Sequence, residues 1–327
     1  MHPFAPTIQI LGKGRHGSRS LTQDEAHAAM GMILDGHATP EQIGAFLMLI
    51  RIREETPEEA AGFVQALRQR IDIPAVAVTP AIDPLIDWGS YAGKRRHLPW
   101  FLLAARLLAQ NGLPVLMHGT EGESADRLYT EQVFHALNIP VAQSLDESCD
   151  LLATRGLAFV ALENFAPELK HLLQLRELLG LRSPLHSVAR MLNPLSAPLS
   201  VHGIFHRGFE TIHQQTAILL DDPGVLVFKG EGGEAEINPE MHSELFISHA
   251  ADSVQIAWPP LLERRQIKPE SLDPAHLQAV WQGEADDTYG AAAVISTLAA
   301  VLYALGRAES AQSAVQLAQT WWHSRCI

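Results

Sequence analysis

The sequence predicts an α/β protein whose first seventy residues form a helical module of their own. Three observations carry this. Three capping signatures follow one another between Thr22 and Glu59, each opening a run with helical apolar spacing. Between Leu85 and Met117 an apolar run, a Gly-containing loop, a helical stretch and a second apolar run make a βαβ unit. With 327 residues, 47% hydrophobic and 19% charged, the chain can bury a large core as one large or two modest domains.

In chain order, the residues before Leu21 read as a short lead. Within it Gly12–Gly17 spells a literal G-x-G-x-x-G, but no helix opens at the last Gly and no acidic ribose ligand follows. It reads as a flexible basic loop. Thr22-Gln23-Asp24-Glu25 caps a helix with Ala26, Ala29, Met30, Ile33 and Leu34 on one face, ending at Gly36. Thr39-Pro40-Glu41-Gln42 repeats the device with Pro at the first helical position, ahead of Ile43, Phe46, Leu47 and Ile50. Thr56-Pro57-Glu58-Glu59 opens a third helix carrying Ala60, Phe63, Val64 and Leu67. A module this small has more apolar surface than it can bury alone, so it should pack on the rest or on a second copy.

The βαβ unit is where chemistry is expected. Leu85–Trp88 reads as a buried strand that meets a turn at Gly89. The loop Gly89-Ser90-Tyr91-Ala92-Gly93 precedes Lys94-Arg95-Arg96-His97, and Leu98–Gln110 reads as a mostly buried helix stopped by Asn111-Gly112. Strand character resumes at Pro114–Met117, before His118-Gly119. A loop in this position faces a small ligand, usually a phosphate, yet this one lacks the small polar residues of a phosphate cradle. Lys94, Arg95 and Arg96 should project near the interdomain cleft, close to a helix N-terminus that favours anions. A basic run of this kind is otherwise a solvated face.

The remaining signals are weaker. His202 and His206 lie four apart in an expected strand, Val201–Phe205, and so ~13 Å apart, which argues against a metal pair. No nucleophile elbow occurs. Ala291–Leu305 and Ser310–Trp322 read as apolar-faced helices, and Trp321-Trp322 suits helix packing or the stacking of a base. Cys149 and Cys326 fit no metal or redox spacing, the chain opens on no signal peptide, and Gly290–Gly306 is short of a membrane span; a reduced, cytoplasmic setting without a membrane partner is expected. A net charge of −13 argues against a uniformly basic nucleic-acid binder. Positive charge is nevertheless bunched, and nineteen arginines against five lysines suit phosphate contact through the planar guanidinium.

The order from Leu21 to Leu67, the βαβ unit, Pro167–Pro198 and Val225–Glu236 resembles the anthranilate phosphoribosyltransferase family of the glycosyltransferase-3 superfamily over nearly the whole chain. The resemblance implies a helical N-terminal dimerisation domain at 1–73 and an α/β domain at 74–327 with a central mixed sheet flanked by helices. The departures fall on the donor site. Where the family has D-x-G-T-G-G-D for phosphoribosyl pyrophosphate, this chain has Asp87 through Gly93, so Gly89, Ser90, Tyr91 and Gly93 form a degenerate donor loop. The family's N-x-S-T falls near Pro99–Leu102, which offers phosphate no hydroxyl or amide. Its K-H-G-N keeps only His118 and Gly119, and its magnesium-holding Asp-Glu pair becomes Ala235-Glu236. Glu231 and Glu234 lie nearby, where a Gly-rich loop could bring one into place at the metal; otherwise they read as solvated loop charges.

On the acceptor side, Arg176 matches the arginine that meets the anthranilate carboxylate, and Arg182 matches the R-T-x-F-N segment, whose Asn is His186 here. Arg176 suits a helix cap or an ion pair equally well. The patterns G-S-Y-x-G-x-R and K-G-x-G-G-E resemble the divergent YbiB-like branch. That resemblance implies a homodimer that binds DNA or RNA backbone without marked sequence preference along a basic groove across both subunits, with no cofactor and no transferase chemistry; Lys94, Arg95 and Arg96 are the residues whose placement suits that contact. The alternative is phosphoribosyl transfer to anthranilate or another aromatic acceptor, with magnesium. A third reading is a protein-interaction scaffold.

Overall fold

The computed structural model describes residues 1–327 apart from 75–81, 123, 125, 251 and 270. The N-terminal module has four helices: α1 (Ala5–Gly12), α2 (Gln23–Leu34), α3 (Pro40–Arg53) and α4 (Pro57–Arg68). The stretch read as a lead therefore contains an eight-residue helix. Pro6 sits in the first turn of α1, and Phe4 and Leu11 are buried. In α2, α3 and α4 both arms of each capping box are made, by Thr22 with Glu25, Thr39 with Gln42 and Thr56 with Glu59. Phe4, Phe46 and Phe63 meet edge to face with centroids 5.6 and 5.7 Å apart. Gly62 lets α4 lie against α2, where an added Cβ would strike the Gln23 carbonyl.

The module does not keep its core to itself. The cluster holding Phe46, Phe63 and Leu67 continues into Leu169, Leu172 and Leu185 of the larger domain. Arg68 fastens the junction: its Nη1 lies 2.6 Å from Asp222 Oδ1, and it donates to the carbonyls of Met191 and Leu192. The expected boundary at 73/74 abuts 75–81, which lie outside the described residues.

The larger domain carries a seven-stranded mixed sheet in the order β3-β2-β1-β4-β5-β6-β7. Its strands are β1 (Ile86–Ser90), β2 (Val115–Gly119), β3 (Leu157–Ala161), β4 (Leu199–Ile204), β5 (Gly224–Lys229), β6 (Ser243–His249) and β7 (Asp252–Trp258). The first five strands are parallel, and β6 pairs antiparallel with both β5 and β7. Their flanking helices are α5 (Phe101–Gln110), α6 (Thr130–Ala136), α7 (Leu145–Arg155), α8 (Pro167–Leu179), α9 (Leu185–Val188), α10 (Phe209–Leu219), α11 (Pro274–Gln282), α12 (Thr288–Ala304) and α13 (Ala311–His323). The expected βαβ unit is β1-α5-β2, with shifted ends. Strand β1 runs through Gly89 to Ser90, paired with Gly119, and α5 opens at Phe101 rather than Leu98.

The apolar C-terminal run is the buried core helix α12, packed on α5 and α13. Trp322 packs edge-on against Trp281, centroids 6.4 Å apart, so helix packing is its role. His202 pairs with His213 of α10, Nδ1 to Nδ1 at 3.2 Å, while His206 is exposed. Among the described residues no helix is long and apolar enough to cross a membrane.

Candidate functional site

The sheet order reverses between β1 and β4, and in parallel α/β sheets ligands bind where strand order reverses, outside the carboxyl ends of the strands. Three segments converge there: residues 91–97 after β1, 205–208 after β4 and 230–236 after β5. Two glycines let the last segment approach. An added Cβ on Gly203 would strike the Glu234–Ala235 backbone, and one on Gly230 would strike the Glu234 carbonyl.

The donor loop does form an anion cradle, and the chain fills it from within. Glu234 is 1% exposed. Its carboxylate accepts from the backbone N–H of Ala92 at 2.6 Å and of Gly93 at 2.5 Å, and from Ser90 Oγ at 2.8 Å. Ser90 Oγ also lies 2.8 Å from Thr130 Oγ1. Arg127 braces the outer side by donating to the carbonyls of Ala92 and Gly93. Gly93 adopts φ 69° with the Tyr129 ring against it, so no side chain fits there. Glu234 is therefore not the solvated loop charge the sequence suggested. Backbone amides in a turn of this kind suit an anion, and here the anion is a carboxylate of the chain itself.

A second internal pairing closes the neighbouring corner. Lys94 is 0% exposed and does not project into the cleft as expected. Its Nζ donates to Glu236 Oε1 at 2.6 Å and to Glu231. Glu236 Oε2 in turn accepts from the N–H of Phe101 at 2.8 Å, which occupies the N-terminus of α5. Burial pushes Glu236 up to about 7, against the pull of Lys94, and Lys94 itself is held above its ordinary value by Glu236 and Glu231, which outweigh its burial. Of the expected basic patch only Arg95 and Arg96 are exposed, and Arg95 lies 2.8 Å from Asp126.

Behind the loop, Tyr91 and His118 form a buried polar file with Asp87. Tyr91 Oη is 2.7 Å from His118 Nδ1, and His118 Nε2 is 3.2 Å from Asp87 Oδ1. The Tyr91 side chain thus turns inward rather than into the cradle. Gly119 is dictated by the close approach of the Ser90 carbonyl. On the acceptor side, Arg176 from the last turn of α8 and Arg182 line one narrow pocket with Tyr91, Tyr129, Lys170 and His186, about 40 Å³ in volume. Burial, with Arg190, Arg176 and Arg127 nearby, pulls Arg182 down to about 10. The two acceptor-like arginines are brought together, in surroundings suited to a carboxylate.

A divalent ion does not fit this arrangement. Glu234 and Glu236 are committed to backbone N–H groups, Ser90 and Lys94, and Glu231 to Lys94. Among the described residues no group of three or more His, Cys, Asp or Glu is placed to hold a metal.

Two family models match the chain, the glycosyl transferase family's helical bundle domain over residues 8–71 and its a/b domain over residues 101–324. The chain belongs to glycosyltransferase family 3. Among this family's members, anthranilate phosphoribosyltransferase of Geobacillus kaustophilus is 27% identical over 95% of this chain and 92% of its own length. A protein of Escherichia coli described as uncharacterized, YbiB, is 27% identical over 72% of this chain and 73% of its own. In fold, the crystal structure of anthranilate phosphoribosyltransferase from Thermus thermophilus matches with a TM-score of 0.81 at 23% identity, covering 99% of this chain and 95% of that one. The enzyme of Saccharomyces cerevisiae in complex with PRPP and Mg matches at 0.77 and 15% identity, over 98% and 93%.

Within this glycosyltransferase-3 frame, the residues missed by sequence reasoning are Glu234 as cradle occupant, Arg127 as its brace and Thr130 beside Ser90. The only sequence signal was the run Lys229-Gly230-Glu231-Gly232-Gly233-Glu234, in which Gly232 and Gly233 take φ of 71° and 91°. Glycine density of that kind marks a tight turn.

Proposed function

We propose that this family member has given up the phosphoribosyl donor and instead binds nucleic acid by its phosphate backbone, without marked sequence preference. The observation behind the first half is the Glu234 carboxylate on the N–H groups of Ala92 and Gly93, where a diphosphate would need to sit. Support for the second half comes from the cleft mouth. Arg96 lines an open groove of about 530 Å³ with Arg207, Lys229, His206 and Phe205, which is 53% exposed and suited to stacking a base. Glu210 and Glu244 line the same groove, so binding should be modest and sensitive to salt. The test is fluorescence anisotropy with unrelated oligonucleotides over a salt series, beside a calorimetric titration with phosphoribosyl pyrophosphate and magnesium. Salt-dependent binding of all sequences is expected, with no donor heat. Micromolar, magnesium-dependent donor binding would refute the proposal.

The comparisons favour a second reading, phosphoribosyl transfer to anthranilate or another aromatic acid, because named relatives align over most of the chain. Arg176 and Arg182 in one pocket agree with it. This reading requires Glu234 to leave the cradle when donor arrives. The same calorimetric titration decides between the two.

A further inference from the structure

A cavity of about 120 Å³ lies where α3 of the helical module meets the larger domain, lined among others by Arg51, Glu55, Ser183 and Arg190, and it shares Arg182 and His186 with the acceptor-like pocket. Three guanidinium groups border this small space. Arg190 is 8% exposed and donates to the His186 carbonyl, yet none of the three makes an ion pair among the described residues. Buried charge ordinarily has a partner, because the cost of leaving water is repaid only by an opposite charge and good hydrogen bonds. In a chain with 37 acidic residues the shortage is local, not compositional.

Two further polar atoms at the cavity lack partners. Ser183 Oγ and Glu55 Oε1 are buried and make no hydrogen bond. Ser183 can donate to an oxyanion. Glu55 is the lining's lone carboxyl group, and burial raises it above the ordinary carboxylate range. Burial likewise lowers Arg190, and it lowers His186 to about 3, so that imidazole is neutral and adds no charge. The lining therefore sets three guanidinium groups and a free hydroxyl against a single carboxyl group in a compact space.

We propose that this interdomain cavity binds a tetrahedral oxyanion of the phosphate class, whose oxygens accept from the guanidinium groups of Arg51, Arg182 and Arg190 and from the Ser183 hydroxyl. The site is distinct from the cradle at Glu234, and Arg51, Ser183 and Arg190 set it apart from the acceptor-like pocket with which it shares Arg182. Phosphate chemistry of this size has two sources, free inorganic phosphate and the terminal phosphate of an oligonucleotide.

The experiment uses the full chain. Inorganic phosphate is titrated at constant ionic strength against chloride, with thermal unfolding and calorimetry as readouts, and 5′-phosphorylated and unphosphorylated oligonucleotides are compared in a parallel arm. Phosphate should stabilise the parent beyond chloride. Arg51→Ala, at the less buried side, and Arg182→Ala should each weaken binding about tenfold or more, the scale of one charge-assisted hydrogen bond. Glu55→Gln should tighten it, an outcome a purely structural role would not give. A preference for the 5′-phosphorylated strand assigns the site to nucleic-acid ends, and phosphate binding without that preference assigns it to the free ion. Absence of both effects in the parent, or unchanged phosphate affinity in Arg51→Ala and Arg182→Ala, overturns the proposal.

Discussion

Replacing Glu234 by Ala tests the filled cradle most directly. The substitution strips three donors of their acceptor: the N–H groups of Ala92 and Gly93, and Ser90 Oγ. Ser90 retains Thr130 Oγ1 at 2.8 Å, so its loss is small. The two amides have no such substitute, and a buried donor left without an acceptor costs about 1–3 kcal/mol. Some of that is recovered, because a buried carboxylate is also removed. A net loss of about 3 kcal/mol follows, or a Tm lower by about 6–9 °C at about 2–3 °C per kcal/mol. Glu234→Gln keeps an amide oxygen for both N–H groups and gives up only the charge, so about 1 kcal/mol is expected. Differential scanning fluorimetry and urea unfolding measure both. The Ala variant has a second signature: its emptied cradle should take pyrophosphate, which raises its Tm by more than it raises the parent's. An Ala variant as stable as the parent, and no more responsive to pyrophosphate, would refute the reasoning.

Three other outcomes are expected. Arg95→Ala with Arg96→Ala should weaken oligonucleotide binding for all sequences and flatten the slope of log affinity against log salt, whereas Lys94→Ala should destabilise the fold by about 3–5 kcal/mol by leaving Glu231 and Glu236 unpaired; anisotropy and urea unfolding separate the two effects. Burial lowers His202 from 6.5 to about 3, so below pH 6.5 the unfolded chain takes up a proton that the folded chain refuses, and stability falls with pH. The loss from His202 by pH 5 is about 2 kcal/mol, and His202→Asn should flatten urea midpoints compared at pH 7 and pH 5. Ile52 of the helical module is 81% exposed, and if this face joins two copies about a twofold axis, light scattering should give a dimer that Ile52→Asp dissociates.

Local chemistry was legible in the sequence, and the pairing of distant segments was not. Thr22, Thr39 and Thr56 announced α2, α3 and α4 because a capping box is closed by residues three apart. The β1-α5-β2 unit was legible because period and glycine placement are local as well. Lys94 was misread as a surface charge because its partners Glu231 and Glu236 lie more than 130 residues away. Glu234 was misread for the same reason, since no run of Gly and Glu declares whether it folds outward or onto a neighbouring loop. What the sequence did hold was complementarity, a basic run at 94–97 and an acidic Gly-rich run at 231–236. The departures from the donor motif were visible, but the seating of Glu234 on that loop depends on the β1-β4-β5 adjacency. Helix α1 went unread for want of a side-chain cap.

On the proposed reading, the close fit of Gly203 and Gly230 against the Glu234 segment bears on any attempt to build a donor site here. Restoring the missing glycines and the closing Asp at positions 91–93 alone would leave the carboxylate seated among the same amides. Removing the carboxylate alone would leave a loop whose Tyr91 is already engaged with His118. Loop and plug lie about 140 residues apart in sequence yet share one set of hydrogen bonds, so changing either one alone should give a less stable protein. Recovery of a phosphate-binding surface needs both segments exchanged together, and a chimera that swaps 87–97 with 229–236 from a relative is the smallest unit that can carry it.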